Sequence, residues 1–287
     1  MVRPIRAAAG LFSEGSASRH VRRPYRVIRL KSWDEFLNTI SDAPYSDWAF
    51  RGERSAEWPL YSALARYLTV FNVHPKAWPE QEQRILRIFK RKAHQYLPQP
   101  PEPDDDFQWL ALMQHHGAPT RLIDFTWSPY VAAFFALERA TGDAVVWALN
   151  PGRVQSGRNP KAPRYDPRIR DNFKRYYLKG NRRFIWMGEP HTMNHRLIAQ
   201  SGTFALAGVL NEPMETLLRQ YRDPGNTMVK FILPADLIRE KAMRELYRMN
   251  ITPATLFPDL DGLARSLAYE LEFHWAYNPR TMKRYPT

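Results

Sequence analysis

The sequence predicts an α+β fold in which helices wrap a central mixed or split β-sheet. Predicted helices and strands are mixed along the chain without the regular strand–helix–strand alternation of a doubly wound sheet. Hydrophobic residues make up 44% of the 287 residues, which is enough for a sizeable core. No apolar stretch approaches the length of a membrane span. We therefore expect a basic flexible N-terminal arm, residues 1–24, followed by a single domain, residues 25–287.

The charge balance is the strongest global signal. The 42 lysines and arginines exceed the 29 acidic residues, which gives a net charge of +13. Such a surplus favours a polyanionic partner, meaning nucleic acid, an acidic protein or a phosphorylated ligand, although solubility or adaptation to heat would also raise the charge. The absence of cysteine excludes disulfides, thiolate nucleophiles and zinc–thiolate sites, and it fits a cytoplasmic protein.

Hydrophobic periodicity and capping residues predict the elements of the first hundred residues in order. The stretch WAFRG, Trp48–Gly52, is predicted to be a strand that delivers Arg51 and ends at a glycine. The other predicted elements are a strand over Tyr25–Leu30, a helix that Ser32 caps and that runs through Ile40, a helix over Ser62–Leu68 and a long amphipathic helix over Glu80–Tyr96. A linker rich in proline and acidic residues, 98–106, follows.

The rest of the chain is organised around residues 109–137, which are predicted to form a helix, a tight turn, a short strand and a second helix. Asp106 is the predicted N-cap of the first helix, and Gly117 occupies the position where a left-handed C-terminal residue is favoured. Ser128 and Pro129 provide the cap and the favoured first residue of the second helix.

Both junctions of this stretch are crowded with polar side chains, which cost free energy in an apolar context unless they are paired or used. One interpretation is a structural network in which Asp124 holds Arg121 and the histidines cap the helix. The other is a ligand site, because the second junction lies at a helix N-terminus whose free N–H groups favour an anion. The polar residues concerned are Gln114, His115, His116, Thr120, Arg121, Asp124, Thr126 and Ser128.

The region from Pro151 to Arg183 is the most basic part of the chain, and we expect it to be an aromatic-rich insertion that binds nucleic acid. Cations would meet phosphates while the interleaved rings stack on bases. A solvated basic loop is the alternative. The predicted nucleic-acid contacts are Arg164, Arg168, Arg170, Lys174, Arg175, Tyr176, Lys179, Arg182 and Arg183.

The remaining elements complete the α+β pattern. The predicted strands are Ala144–Leu149, Val229–Leu233, and Arg196–Leu206 with a break at Gly202. A helix is predicted over Ala235–Met249, with Leu237, Ile238, Leu246 and Met249 facing inward. A loop over Thr255–Gly262 leads into a final helix over Leu263–Trp275.

Several of these segments together resemble one family. The stretches AFRGE with EWPLYSALAR, LMQHHGAPTRLIDFTWSPYVAAFFA, RLIAQSGTFAL and TLFPDLDGLA resemble the FRG-domain family, which is named for the Phe50-Arg51-Gly52 tripeptide. The resemblance covers roughly Leu30 to Leu267, so the predicted domain over residues 25–287 would be a single FRG domain.

More distantly, the sequence resembles the ADP-ribosyltransferase fold, whose first strand commonly ends in an aromatic residue, arginine and glycine. The residues 125–128, followed by a helix with small residues and phenylalanines, are similar to the second motif of that fold. The third motif is a late strand with a catalytic glutamate, and this chain offers Gln200 there. The resemblance implies an ADP-ribosyltransferase-like sheet and NAD as a substrate.

The same resemblance implies roles for individual residues. Catalytic roles would fall to Arg51, Thr126, Ser128, Gln200 and Asp259. Contacts with NAD would come from Arg51, Gly52, Tyr61, Gln114, His116, Thr120, Arg121, Asp124 and Trp127. The acid that stabilises an oxocarbenium-like transition state would come from Asp259, Asp261, Glu189 or Asp124.

Three functional hypotheses follow. The first is an NAD-dependent ADP-ribosyltransferase-like enzyme that acts on a nucleic acid or another acidic target, in a setting such as a toxin or phage defence. The alternative is a non-catalytic FRG-domain module that binds nucleic acid. The third, metal-assisted phosphodiester cleavage by His115, His116 and Asp124, is disfavoured because adjacent histidines rarely point to one ion.

Overall fold

The computed structural model describes residues 23–41, 43–156, 165–178, 182–274 and 276–285. Residues 1–22 of the predicted basic arm therefore lie outside the described residues. The fold is α+β, as predicted, with one mixed sheet of seven strands in the order β1-β7-β4-β2-β3-β6-β5. The strands are β1 Arg26–Arg29, β2 Ala49–Glu53, β3 Ile123–Thr126, β4 Asp143–Leu149, β5 Ile185–Gly188, β6 Gly202–Ala207 and β7 Met228–Pro234. β1 is parallel to β7, and the other neighbours are antiparallel.

Helices surround this sheet. The α-helices are α1 Trp33–Ser41, α2 Ala63–Val70, α3 Trp78–Ala93, α4 Asp106–His115, α5 Pro129–Leu137, α6 Pro151–Ser156, α7 His195–Ala199, α8 Met214–Leu217, α9 Ala235–Arg248, α10 Pro253–Leu256 and α11 Leu260–Glu272. Short 3₁₀ segments lie at Ala43–Tyr45, Pro75–Ala77, Leu218–Gln220 and Pro224–Asn226, and a π-helical segment lies at Phe173–Leu178. Among the described residues, no helix is both long enough and apolar enough to cross a membrane.

One face of the sheet carries two apolar cores side by side. Residues paired across antiparallel strands point to the same face, so Phe50, Thr126 and Gly202 share one face. On that face α1, α5 and α9 cover β1, β7, β4 and β2, while α3, α4 and the π-helical segment cover β6 and β5. β3 lies between the two cores and directs the polar side chains of Asp124 and Thr126 into the seam. A third core occupies the opposite face, against residues 214–221.

The sheet is nearly divided at its centre. β2 pairs with β4 over five residue pairs, and β3 pairs with β6 over four. Between β2 and β3 the ladder has a single pair, Phe50 with Thr126. The guanidinium of Arg51 spans the divergence, because its Nη1 donates to the Asp124 carbonyl oxygen at 2.8 Å. A side chain thus satisfies a carbonyl that no β2 amide reaches.

The Phe50-Arg51-Gly52 tripeptide has a separate task for each residue. Phe50 is 1% exposed and belongs to the core under α5. Gly52 lies against the backbone of α5, where a Cβ atom would come within 1.9 Å of the Ala132 carbonyl oxygen. Glycine is needed here because helix and strand backbones touch. Gly52 therefore packs the fold and offers no side chain to a ligand.

The structure corrects several sequence predictions. The N-cap of α4 is Asp105, whose carboxylate accepts from the Gln108 amide at 3.0 Å, and Asp106 is instead the first helical residue. The first half of the predicted strand Arg196–Leu206 is helix α7, because Asn194 caps it by accepting from the Leu197 amide.

The inward face of α9 is also narrower than predicted. Ile238 and Leu246 are fully buried. Leu237 is 66% exposed, because it lies about 100° around the helix from Ile238, on the side away from Leu246. Met249 is 48% exposed, because it is the C-cap residue that follows the last helical residue, Arg248. The predicted inward face was therefore too wide at Leu237 and extended past the end of the helix at Met249.

Candidate functional site

A cleft of about 150 Å³ opens where β2 and β3 diverge. It is bounded by the end of β2, the start of α2, the C-terminal turn of α4 and the start of β3. The polar groups at its wall are Arg51, Tyr61, Ser62, Arg66, Gln114 and Asp124, and the apolar wall comes from Ala63, Gly117, Ala118, Leu122 and Ile123. Gly117 has φ +80°, the left-handed conformation that the sequence predicted for this helix end.

Two guanidinium groups at this cleft share one buried carboxylate. Arg51 donates from Nε and Nη2 to Oε1 of Glu53, at 3.2 Å each. Nη1 of Arg66 lies 3.8 Å from the same oxygen. The Glu53 side chain is 3% exposed, while those of Arg51 and Arg66 are 15% and 44% exposed. The three groups carry a net positive charge at the cleft wall.

Among the residues that the structure describes, the second carboxylate oxygen of Glu53 has no hydrogen-bond partner, and it is buried. Most buried polar atoms have a hydrogen-bond partner. The desolvation cost of this unpaired carboxylate oxygen is therefore not offset by a hydrogen bond. The ion pair of Arg51 and Glu53 therefore keeps an unused hydrogen-bond acceptor, which a purely structural ion pair would not.

A relay of hydrogen bonds fixes the opposite wall of the cleft. The Thr120 hydroxyl accepts from the Leu122 amide and donates to Oε1 of Gln114. Since Oε1 of Gln114 accepts, its Nε2 is the donor that holds Oδ1 of Asp124, at 2.7 Å. Thr120 is itself fully buried, so it positions Gln114 without lining the cleft. The Asp124 carboxylate is exposed and oriented.

Arg121 has no part in this cleft. Its side chain is 1% exposed and pairs with Glu82 of α3, which is fully buried. It also donates to the carbonyl oxygens of Ala207 and Tyr177, both at 3.1 Å. The interpretation in which Asp124 holds Arg121 is therefore wrong, since Glu82 holds Arg121 and Gln114 holds Asp124. The structure gives Arg121 no access to a cofactor.

The far end of β3 gathers the residues that were expected to be catalytic, but their polar groups are used by the backbone. The Thr126 hydroxyl donates to the Gln200 carbonyl oxygen at 2.6 Å and accepts from the Ser128 amide. Ser128 caps α5 by accepting from the Val131 amide. The Gln200 side chain donates to the Leu256 carbonyl oxygen at 3.0 Å, and Asp259 caps α11. None of these four residues lines the cleft.

The two histidines lie at the end of α4, in edge-to-face contact with each other. Burial, and then the neighbouring His116 and Arg196, lower the pKa of His115. His116 is exposed and outside the cleft lining. The exposed Trp127 donates from its indole to Glu189 at 3.0 Å. Across the described ranges there is no cluster of three or more histidine or acidic residues that could hold a metal ion.

The basic region does not present its rings to solvent. Phe173, Tyr176 and Tyr177 are buried, because the π-helical segment packs against the core under β6 and β5. Tyr176 is therefore unable to stack on a base. Arg164 and Lys179 lie outside the described residues. Arg168 pairs with Asp166, Arg170 with Asp104 and Arg183 with Glu212, while Lys174, Arg175 and Arg182 are exposed.

Sequence reasoning missed three residues at or near the cleft, namely Glu53, Arg66 and Glu215. Glu53 follows Arg51 by two positions in a strand, so the period of two places both on one face, and this signal was available. Glu215 accepts from the Leu60 amide beneath the cleft, and burial raises its pKa to about 7. No sequence pattern links Glu215 to β2, because it belongs to helix α8, about 160 residues later in the chain.

Residues 46–144 match the FRG domain family model, so the resemblance to the FRG-domain family is confirmed over this part of the chain. The matched residues include β2, α2, α3, α4, β3 and α5, and so they contain every element that lines the cleft. No curated protein and no solved structure matches the chain.

Proposed function

We propose that the protein is an NAD-dependent enzyme of the ADP-ribosyltransferase type, that the cleft between β2 and β3 binds NAD, and that a nucleic acid or another acidic molecule accepts the ADP-ribose. The observation that carries the proposal is the Asp124 carboxylate, which is exposed, fixed by Gln114 and part of a residue that lines the same cleft as Arg51 and Arg66. The carboxylate can stabilise a developing positive charge, and the guanidinium groups of Arg51 and Arg66 can bind phosphate.

The reaction breaks the bond between C1′ of the ribose and the nicotinamide nitrogen. The electron pair leaves with nicotinamide, which becomes neutral, and C1′ gains oxocarbenium character. A lone pair of the acceptor then bonds to C1′ and the acceptor loses a proton. A carboxylate held near C1′ stabilises the developing positive charge, as in glycoside cleavage. Asp124 takes this role in our proposal, in place of Gln200 and Asp259.

The other residues of the cleft have matching chemistry. Arg51 and Arg66 would neutralise the pyrophosphate, and guanidinium forks bind phosphate oxygens in pairs. Tyr61 offers an aromatic face for the nicotinamide ring. The cleft volume of about 150 Å³ is below the roughly 300–1,000 Å³ of typical ligand sites. We therefore place only the nicotinamide–ribose end of NAD inside it.

The test is the release of nicotinamide from NAD by the purified protein, with and without DNA, RNA or protein acceptors. Asp124→Asn keeps the hydrogen bond to Gln114 but removes the charge, so we expect the rate to fall by about 10²–10³-fold. NAD binding, measured by calorimetry, should change little. A wild-type protein that neither binds NAD nor releases nicotinamide would sink the proposal, as would an unaltered rate in Asp124→Asn.

One observation favours the alternative, a non-catalytic module that binds nucleic acid. The fork of Arg51 is already engaged by Glu53 and by the Asp124 carbonyl oxygen, as in a structural clamp. In that case Arg51→Lys would lower stability, and NAD would neither bind nor raise the melting temperature. Stabilisation by NAD that is lost in Arg51→Lys supports the enzyme.

A further inference from the structure

Helix α11, Leu260–Glu272, carries a row of leucines on its solvent side. Steps of three and four residues place the four leucines on one side of the helix, since a turn takes about 3.6 residues. Their exposed fractions run from 51% at Leu263 to 81% at Leu271. Two alanines beside them are exposed as well. We call this surface the leucine stripe, which consists of Leu260, Leu263, Ala264, Leu267, Ala268 and Leu271.

Other residues attach α11 to the rest of the domain. The buried residues of the helix are Gly262 and Tyr269, which lie about half a turn around from the middle of the stripe. A Cβ atom on Gly262 would come within 1.8 Å of the Phe257 carbonyl oxygen, so the helix backbone touches the chain there. The Tyr269 hydroxyl donates to the Met243 carbonyl oxygen at 3.1 Å. The leucines are therefore not needed to hold the helix in place.

The orientation of α11 is the reverse of what its leucines predict. A surface helix of a globular protein normally turns its apolar side toward the core. Exposed leucines that occur singly need no explanation, whereas a contiguous row does. The four leucines present roughly 500 Å² per molecule, as much as the largest apolar patch on a typical monomer, which is about 300–600 Å². A patch of this kind is typical of a surface that contacts another molecule.

The edge of the stripe carries one acid and one base. Asp261 and Arg265 are four residues apart, so they lie on the same side of the helix, and both are exposed. Within the part of the chain that the structure describes, neither forms an ion pair, even with the other. The guanidinium of Arg265 lies 5.0 Å from the centroid of the Phe257 ring. An opposite charge is thus available at each of two points along this edge.

We infer that the leucine stripe binds a second copy of this chain, with the two α11 helices antiparallel about a twofold axis near Leu263. A twofold contact joins the same patch of both copies, so the patch must complement itself. In an antiparallel pair centred on Leu263, residues equally far from position 263 in either direction face each other. Arg265 of each copy then lies opposite Asp261 of the other copy, and Leu260 of each packs beside Leu267 of the other.

The size of the stripe fits a reversible dimer. Covering the leucines of both copies would bury about 1,000 Å², which is the lower limit expected of a specific interface. We therefore expect an equilibrium between monomer and dimer, with a Kd on the order of 10 µM.

A membrane surface fits the stripe less well. Helices that lie in a membrane interface are rich in lysine and arginine on their polar side. The polar positions of α11 instead include Asp261, Glu270 and Glu272 against Arg265 alone. The contact between copies is also independent of the proposed function, because no residue of the stripe lines the cleft.

The test is sedimentation velocity of the full chain at about 1 to 200 µM, a range that brackets the expected affinity. The wild type should shift from monomer to dimer across this range. Leu263→Gln combined with Leu267→Gln should raise Kd by at least about 100-fold and leave a monomer. The control combines Leu237→Gln with Met249→Gln, which changes two similarly exposed apolar residues outside the stripe and should dimerise like the wild type. Circular dichroism should give both variants the melting temperature of the wild type.

The twofold arrangement is tested separately by cross-linking. The chain has no cysteine, so one introduced thiol can pair only with its equivalent in another copy. Leu263→Cys places the two sulfurs beside the axis, and oxidation by copper phenanthroline should link the copies through a disulfide. Leu237→Cys, treated in the same way, should remain largely unlinked.

The pairing of charges gives a third measurement. Arg265→Asp should weaken the dimer by about tenfold, because it places two acids opposite each other, and the further change Asp261→Arg should restore most of the affinity. A wild type that stays monomeric up to about 200 µM would overturn the inference, whether or not it binds vesicles containing phosphatidylserine. So would a dimer that persists in the variant with both stripe leucines replaced. Equal cross-linking at positions 263 and 237 would overturn the antiparallel arrangement.

Discussion

Two of the arginine–glutamate pairs, Arg121–Glu82 and Arg51–Glu53, are not distinguished by the sequence but differ in the structure. Arg121 and Glu82 are 1% and 0% exposed, and Arg121 makes further bonds to two carbonyl oxygens while its guanidinium lies 5.5 Å from the ring centroids of both Phe173 and Tyr177. Arg51 and Glu53 are 15% and 3% exposed, one carboxylate oxygen has no partner within the described part of the chain, and a cleft lies beside them. We call these the closed pair and the open pair.

The difference lies in what remains available to a ligand. In the closed pair the polar atoms of both side chains are hydrogen-bonded to each other and to the backbone. A substitution in this pair should therefore lower stability without altering ligand binding. In the open pair a second cation, Arg66, shares the carboxylate and remains half-exposed. A site for binding or catalysis is recognised by groups whose interactions are incomplete in the free protein.

The largest effect should come from breaking the closed pair. Glu82→Gln leaves a buried guanidinium without its counter-charge, which typically lowers the free energy of unfolding by about 3–5 kcal/mol. Urea unfolding followed by circular dichroism measures it. Glu80→Gln, an exposed acid on the same helix, should stay within about 0.5 kcal/mol of wild type. A loss below about 1 kcal/mol for Glu82→Gln would remove the distinction between the two pairs.

A third carboxylate, Glu215, lies near the open pair and should make stability depend on pH. Burial raises its pKa in the folded protein from 4.5 to about 7. Between these values the folded state holds a proton that the unfolded chain has lost. The free energy of unfolding therefore falls as pH rises from about 4.5 to about 7, by at most about 1.4 kcal/mol per pH unit, and levels above that.

Urea unfolding at pH 5, 6, 7 and 8 checks this expectation. Glu215→Gln can still accept from the Leu60 amide but does not titrate, so the decline should be absent from this variant. Glu57→Gln, at an exposed site, should retain it. Stability that rises with pH across this window in the wild type, and equally in Glu215→Gln, would contradict the assignment.

Breaking the open pair should cost less than breaking the closed one and should alter binding. Glu53→Gln leaves Arg51 bonded to the Asp124 carbonyl oxygen and Arg66 in contact with water, so we expect a loss of about 1–3 kcal/mol in stability. Removal of the negative charge should tighten binding of inorganic pyrophosphate by about fivefold. Isothermal titration calorimetry measures the affinity, with Glu57→Gln as the control.

Two results would blur the comparison between the pairs. A stability loss as large as that of Glu82→Gln would make the open pair as structural as the closed one. Weaker pyrophosphate binding would show that Glu53 orients the guanidinium groups more than it competes with an anion.

The smallest effect concerns the far end of β3. Ser128→Ala removes the N-cap of α5 and should cost about 1 kcal/mol of stability, whereas Ser128→Asp keeps a capping oxygen and should cost less. Thermal unfolding compares the two variants. A hundredfold loss of nicotinamide release in Ser128→Ala, in a protein that remains folded, would return the catalytic centre to this end of the strand.

The sequence predicted local features well because they depend on neighbouring residues. The cap and first residue of α5, the left-handed Gly117 and the strand that carries Arg51 are all encoded within a few positions. It failed where a residue's environment comes from distant segments. Tyr176 has the composition of a stacking residue, but the packing of the π-helical segment turns its ring inward.

The candidate site shows the same division. Arg51, Tyr61, Gln114 and Asp124 were singled out from the sequence, and the structure brings them to one cleft. Thr126, Ser128 and Gln200 were singled out equally, but the structure places them at the other end of β3 and engages them with backbone groups. A four-residue strand is enough to separate the two sets.

The sequence by itself determined the α+β class, most of the elements and the FRG-type motifs, since periodicity, capping and glycine placement are local. Only the tertiary structure decided that Arg121 is buried with Glu82, whereas Arg51, paired with Glu53, lines a cleft. The physical reason is that the partner of a buried charge is chosen by packing among segments far apart in the chain. The desolvation of that charge, and hence its availability to a ligand, follows from this choice.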